Sequence, residues 1–466
     1  MEKPIIEGPV TGGYGRPNLV TTSLDLAAQG YEQHEYFVRG VARAFTSDEP
    51  LMADGRWSAV PAESAEYTTR IVVYRPIDPA RFSGAVLVEW LNVSAGFDAA
   101  PDWLSAHNVM MREGFIWIGV SAQAAGVQGD GPAVGGLASG GLRATDPERY
   151  GSLHHPGDSF SYDIYSQVGA IARGGSSPDP IGGARVETVV AIGESQSAFR
   201  LVAYVNGVHP VASVYDGFLV HSRGGGASPL AQDPQREVLA PTGTVIRDDI
   251  DVPVLVLQAE TDFTQLGYLD ARQPDSDHVR VWEVAGTAHA DAYTGGIGFE
   301  DVGDGRAEQQ LLDVDAIDGG PLGCAEPINA GPSYAVLQAA LLRLVRWCRG
   351  GEPPAVAPRL ELADDGKHSI ARDEQGIALG GIRTPLVDAP TAALRGDGND
   401  SESFCRLFGT TYRFDGPTLK GLYEDHDAYV ARFDASTAAA LDAGYLLPEE
   451  AENLRRAAAR SNVPPV

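Results

Sequence analysis

Between residues 189 and 205 the chain reads VVAIGESQSAFRLVAYV. An apolar run meets Gly193-Glu194-Ser195-Gln196-Ser197 and continues with apolar residues at helical spacing. A serine at such a strand-to-helix turn can act as a nucleophile, because the tight turn lifts its hydroxyl off the sheet edge. The turn requires small residues two before and two after the serine. Gly193 meets the first requirement; Ser197 stands where Gly is more usual. The hydroxyl also needs a base. VRVWEVAGTAH (279–289) ends in His289, whose neutral imidazole can take the Ser195 proton if a carboxylate orients the ring. Two carboxylates, Glu260 and Asp262, close the run VPVLVLQAETD (252–262). Serine, acid and histidine thus follow one another in the chain order of a triad built on successive parallel strands. Asp262 lies further into the loop where His289 must arrive, which favours it. Glu260 is the alternative acid and Asp216 a remoter one.

A tetrahedral intermediate needs N–H donors. One is expected from Gln196, directly after the nucleophile. The other is expected from the loop Leu91–Gly96, at Asn92 or Val93. Trp90, Glu194 and Phe97 are candidate pocket residues, although aromatic residues near strand ends more often belong to the core. His221 ends another strand and is a further pocket candidate, with ordinary packing the more common fate. His154, His155 and Asp158 are close enough in sequence to suggest a metal site. The simpler expectation is a loop into a helix at 161–173, with Asp158 or Ser159 near its N-cap. The Gly-rich segment 125–141 lacks the spacing of phosphate-binding loops, so no nucleotide is expected there.

The elements that would carry these residues can be read from periodicity. Residues 31–45 and 65–76 alternate apolar with polar, as half-buried strands do. GAVLVEWLN (84–92), FIWIGVSAQ (115–123), ETVVAIGES (187–195), ASVYDGFLVHS (212–222) and the two runs ending in Asp262 and His289 are nearly continuous in apolar residues. Strands of that kind are covered on both faces, as inside a parallel sheet. Helical stretches at 161–173, 197–208 and 333–350 fall between or after them, which gives an α/β alternation. Core 1–354 is expected to carry loop-rich, lid-like insertions at about 125–160, 222–250 and 291–332. A Pro-rich stretch then leads into a C-terminal extension, 355–466, docked on that core.

Composition narrows the function classes. The 466 residues carry a formal net charge of −28, which disfavours nucleic-acid and anionic-membrane partners. No segment approaches the ~18 consecutive apolar residues of a membrane span, and no signal peptide is expected from MEKPIIEGPVTGGYG. Cys324, Cys348 and Cys405 are odd in number and widely spaced, which fits a reducing cytoplasm; a Cys324–Cys405 bridge stays open.

EWLNVSAGFDAAPDW (89–103), HPGDSFSYDIYSQ (155–167), IGESQSAFRL (192–201), LQAETDF (257–263), WEVAGTAHADAY (282–293) and GGIRTP (380–385) resemble a bacterial family of α/β-hydrolase domain proteins through most of the chain. The resemblance implies the α/β-hydrolase fold, with a mostly parallel central sheet flanked by helices. It also implies a triad of Ser195, His289 and Asp262, and it defines no substrate. The expected activity is hydrolysis of a small-molecule carboxylic ester through an acyl-enzyme, without metal or cofactor. Amide hydrolysis or acyl transfer would use the same parts, and a non-catalytic binding protein on the same scaffold is the alternative from another class.

Overall fold

The computed structural model describes residues 3–129, 140–364, 369–400 and 403–465. Its centre is a nine-stranded sheet in the order β1-β2-β3-β5-β4-β6-β7-β8-β9. Three antiparallel strands form one side: β1 (Ile5–Glu7), β2 (Tyr31–Thr46) and β3 (Val60–Pro76). β3 runs antiparallel to β5 (Ile116–Val120). From there all neighbours are parallel: β5, β4 (Ala85–Trp90), β6 (Thr188–Glu194), β7 (Gly217–His221), β8 (Val254–Ala259) and β9 (Val279–Val284).

Every residue of β4 to β8 is buried, which is why these runs are apolar at consecutive positions rather than alternate ones. The period of two still sorts them. Val86, Val88, Val189, Ala191, Phe218 and Val220 pack into one core layer. That layer includes α2 (Ser161–Ile171) and α3 (Gln196–Ala203). Leu87, Val190, Ile192 and Leu219 face the other layer, with α1 (Pro101–Arg112) and α4 (Ser333–Cys348). Helix α1 was not anticipated, although Pro101 at its start and Gly114 past its end are ordinary helix boundaries. Alternation puts Glu89 and His221 on the α1 side of the sheet.

The described parts of the loop-rich 125–160 insertion include the short helices Ala124–Gln128, Leu142–Thr145 and Pro147–Tyr150. Asp146 starts the last of these by accepting the Arg149 N–H. Residues 130–139, the centre of the Gly-rich segment, lie outside the described residues. Asp158 and Ser159 stand next to the N-cap of α2, Phe160, in the turn Asp158–Phe160 that leads into the helix, and neither side chain makes the cap hydrogen bond. The bridge left open by the sequence is present: Cys324 and Cys405 are disulfide-bonded, and Cys348 is the free cysteine. Cysteine usage therefore no longer argues for a reducing compartment. No helix among the described residues is long and apolar enough to cross a membrane.

The extension after residue 355 contains a two-stranded sheet, β10 (Ala392–Arg395) with β11 (Thr410–Arg413), and helices α5 (His426–Ala443) and α6 (Pro448–Arg460). It shares a third core with the 291–332 insertion, where Leu394, Phe408, Tyr429 and Leu454 meet Tyr293, Leu311 and Ile328. Ile382 also bridges to Val284, covering the free edge of β9.

Candidate active site

Ser195 sits between β6 and α3 with φ 59° and ψ −120°. A side chain other than glycine rarely adopts this backbone, and such strain is held only where surrounding structure enforces it. Here the Ser195 N–H donates to the His221 carbonyl at 2.9 Å. The small-residue requirement has a visible cause. A Cβ placed on Gly193 would stand 3.1 Å from the Ser197 Cβ and 3.1 Å from Leu201 Cδ1. A Cβ at 193 would press on the Cβ that Ser197 carries, so glycine at 193 leaves room for serine at 197.

Ser195 Oγ lies 2.8 Å from His289 Nε2, and His289 Nδ1 lies 2.8 Å from Asp262 Oδ1. The other oxygen of Asp262 accepts the Ala259 N–H at 2.7 Å, which fixes the carboxyl at the strand end. Asp262 is fully buried. Glu260, the alternative acid, does not reach the imidazole. It accepts from Gly286 N–H at 2.6 Å, from Gly396 N–H at 3.1 Å and from Arg372 at 2.8 Å. Asp216 is further removed, bound to Val189 N–H and Arg173.

Glu194 adds a second carboxyl to the imidazole: its Oε1 stands 3.1 Å from His289 Nε2. Burial pushes the Glu194 pKa up to about 7, although His289 and His221 pull against that rise. Burial disfavours the charged form of His289, but Glu194 and Asp262 outweigh it and hold its pKa above the usual imidazole value.

The start of α1, where the loop after β4 ends, is held by Glu89. Glu89, at the end of β4, accepts the N–H groups of Asp102 and Trp103 at 2.9 Å each and the indole N–H of Trp117 at 2.8 Å. Burial, together with the neighbouring Asp102, pushes the Glu89 pKa well up. Within the loop the Asn92 N–H donates to the Ala99 carbonyl, and its side-chain amide donates to Glu194. Asn92 is thus corrected from backbone oxyanion donor to the residue that fastens Glu194. Among the described residues the Val93 N–H has no hydrogen-bond partner. Gln196 is the first residue of α3, so its N–H has no acceptor within the helix.

The serine opens into a cavity of about 190 Å³ lined by Asn92, Ser94, Ala99, Ser105, Glu194, His221, Phe404 and Leu407 among others. Trp90 and Phe97 do not line it. Trp90 is fully buried beneath, with its indole N–H on Gln123 and its ring against Tyr165, because β4 turns it to the layer opposite the cavity. The residues around 154 are accounted for by other contacts: His155 binds the Ala122 carbonyl, and Asp158 accepts from Ala124 N–H, Gln123 and Arg200.

A family model described as alpha/beta hydrolase domain matches residues 6–456. The chain belongs to that family. This hydrolase has no match among curated proteins. Among solved structures, a glucuronoyl esterase from Solibacter usitatus is 11% identical with a TM-score of 0.30, covering 61% of this chain and 82% of its own. Acetyl xylan esterase 1 from Thermoanaerobacterium sp. JW/SL YS485 is 12% identical with a TM-score of 0.31, covering 60% and 81%. Est1E from Butyrivibrio proteoclasticus is 9% identical with a TM-score of 0.28, covering 47% and 84%.

Three residues of the cavity wall carry little signal in the sequence: His221, Phe404 and Leu407. His221 Nδ1 lies 2.9 Å from Asp102 Oδ1, a second imidazole–carboxyl pair beside the first. Phe404 and Leu407 come from the C-terminal extension, and the Leu407 carbonyl accepts the Ala290 N–H next to His289. The strand-end position of His221 was a usable signal. Nothing local in the sequence brings residue 404 to residue 195.

Proposed function

We propose that this hydrolase cleaves a carboxylic ester through an acyl-enzyme, with Ser195 as nucleophile, His289 as base and Asp262 as the acid of the triad. Ser195 Oγ attacks the ester carbonyl carbon while its proton passes to His289 Nε2. The carbonyl oxygen becomes an oxyanion and takes hydrogen bonds from the Gln196 and Val93 N–H groups. His289 then gives its proton to the departing alcohol, leaving an acyl-serine. Water repeats the sequence and releases the acid. Asp262 keeps Nδ1 protonated, so Nε2 faces the serine as an acceptor, and it stabilises the imidazolium that forms. Glu194 stands beside that same cation.

One observation carries the reading: an unbroken hydrogen-bonded chain from a buried carboxylate through an imidazole to a serine in strained backbone at a cavity. A fluorophosphonate probe tests it. It is expected to label one serine and to stop ester turnover, and Ser195→Ala should abolish both labelling and turnover while the protein stays folded. Labelling of another serine in that variant would overturn the assignment.

A further inference from the structure

The proposed mechanism has no use for the second imidazole of the cavity. His221 is only 7% exposed, yet it lines the cavity beside Ser195. Its Nδ1 is committed to Asp102, while among the described residues its Nε2 has no hydrogen-bond partner. The Asp102 carboxyl is buried, its second oxygen is without a partner, and its nearest counter-charge is His221. The contact with Asp102 and the charges of Asp102 and Glu194 outweigh burial and favour the protonated ring. Protonated, His221 presents an N–H to the cavity. A buried polar group left unmatched disfavours every ligand that cannot pair with it.

We propose that His221, oriented by Asp102, is the polar recognition group of this cavity, and that the esters it accepts carry a hydroxyl group within reach of the scissile bond. The inference rests on the ester-hydrolase reading above. A hydroxyl fits better than a carboxylate for two reasons. The cavity wall already carries the carboxyl of Glu194, and the buried carboxyls of Asp102 and Asp262 also act on His221, so a further anion is opposed. A hydroxyl can also accept from His221 while donating to Glu194 or Ser105, both on the cavity wall. A methyl group of the same size can do neither.

The test uses the full chain and matched ester pairs that differ by a hydroxyl in place of a methyl. On the alcohol side these are 2-hydroxyethyl butyrate and propyl butyrate. On the acyl side they are the 4-nitrophenyl esters of 3-hydroxybutyrate and 3-methylbutyrate. Each kcat/KM is divided by the hydroxide-catalysed rate of the same ester. At least one pair should favour the hydroxyl member by ~10-fold or more. His221→Phe should bring that ratio to about one, whereas His221→Gln, which keeps an N–H, should retain part of it. Asp102→Asn should lower the ratio by freeing the ring. General damage would slow both members of a pair alike and leave the ratio standing. Ratios near one for both pairs in the wild type would overturn the proposal, as would a ratio that survives His221→Phe or a stronger preference for monoethyl succinate. If no ester is turned over and Ser195 is not labelled, the ester-hydrolase reading itself fails and the inference falls with it. Turnover without hydroxyl preference defeats the inference alone.

Discussion

Glu260 and Asp262 stand two residues apart on the turn after β8, both fully buried, yet they face different tasks. Asp262 has one side-chain partner, the imidazole of His289, and one backbone N–H. Glu260 points the other way and gathers three donors from three parts of the chain: Gly286 ahead of His289, and Gly396 and Arg372 of the C-terminal extension. One carboxyl stands on the proposed proton path; the other fastens the extension to the back of the same turn. The contrast shows how the C-terminal segment contributes to the candidate site. The extension holds the loop that delivers His289 and supplies Phe404 and Leu407 to the cavity wall.

The sharpest way to break this comparison is a pair of isosteric amides. Asp262→Asn should lower kcat by up to ~10⁴-fold, because an amide N–H at Nδ1 selects the wrong imidazole tautomer. Folding should be little changed, as read by circular dichroism. Glu260→Gln should show the reverse pattern. Its kcat is expected to fall by less than ~10-fold, while stability to chemical denaturant drops by ~3 kcal/mol, since Arg372 loses its main buried counter-charge. If Glu260→Gln proved the more damaging to turnover in a folded protein, the acid would have to be reassigned.

A third carboxyl sharpens the contrast through pH. As a base, His289 must be neutral, so activity should fall as pH drops through its pKa, which lies above the usual imidazole value. Removing the negative charge of Glu194 removes the first of the two influences that raise it. Glu194→Gln should therefore move the acid limb of kcat/KM to lower pH, with a modest change in the plateau. An unmoved limb would mean that Glu194 does not act on His289.

The smallest effect on turnover is expected at the disulfide. Cys405 lies within the turn Phe404–Leu407, whose two end residues line the cavity, and the bond to Cys324 anchors that turn to the 291–332 insertion. Cys405→Ser should cost ~2–4 kcal/mol of stability. Its kcat should change by less than about twofold, with the loss appearing in KM for bulkier acyl groups. A drop in kcat as large as that of Asp262→Asn would show that the extension governs the proton path and not only the wall.

Much of this architecture is local and so was readable in the chain. Consecutive apolar runs specify strands covered on both faces. Gly193-Glu194-Ser195-Gln196-Ser197 specifies a sharp turn, and the order serine, acid, histidine follows from successive strand ends on one sheet edge. Pro101 and Gly114 are the local boundary signals of helix α1. Other features depended on which residues meet across long separations. Glu260 and Asp262 are chemically equivalent in the sequence; only the direction each leaves the turn, set by partners at 286, 372 and 396, separates them. Whether the Asn92 N–H is free depends on the carbonyl of Ala99 across a loop, and whether Trp90 lines the cavity depends on what packs against its face of β4. The pairings of Cys324 with Cys405 and of His221 with Asp102 join residues 81 and 119 positions apart. Periodicity reports which face of an element is buried. It carries no information on which distant side chain arrives there, because that is decided by how the layers pack.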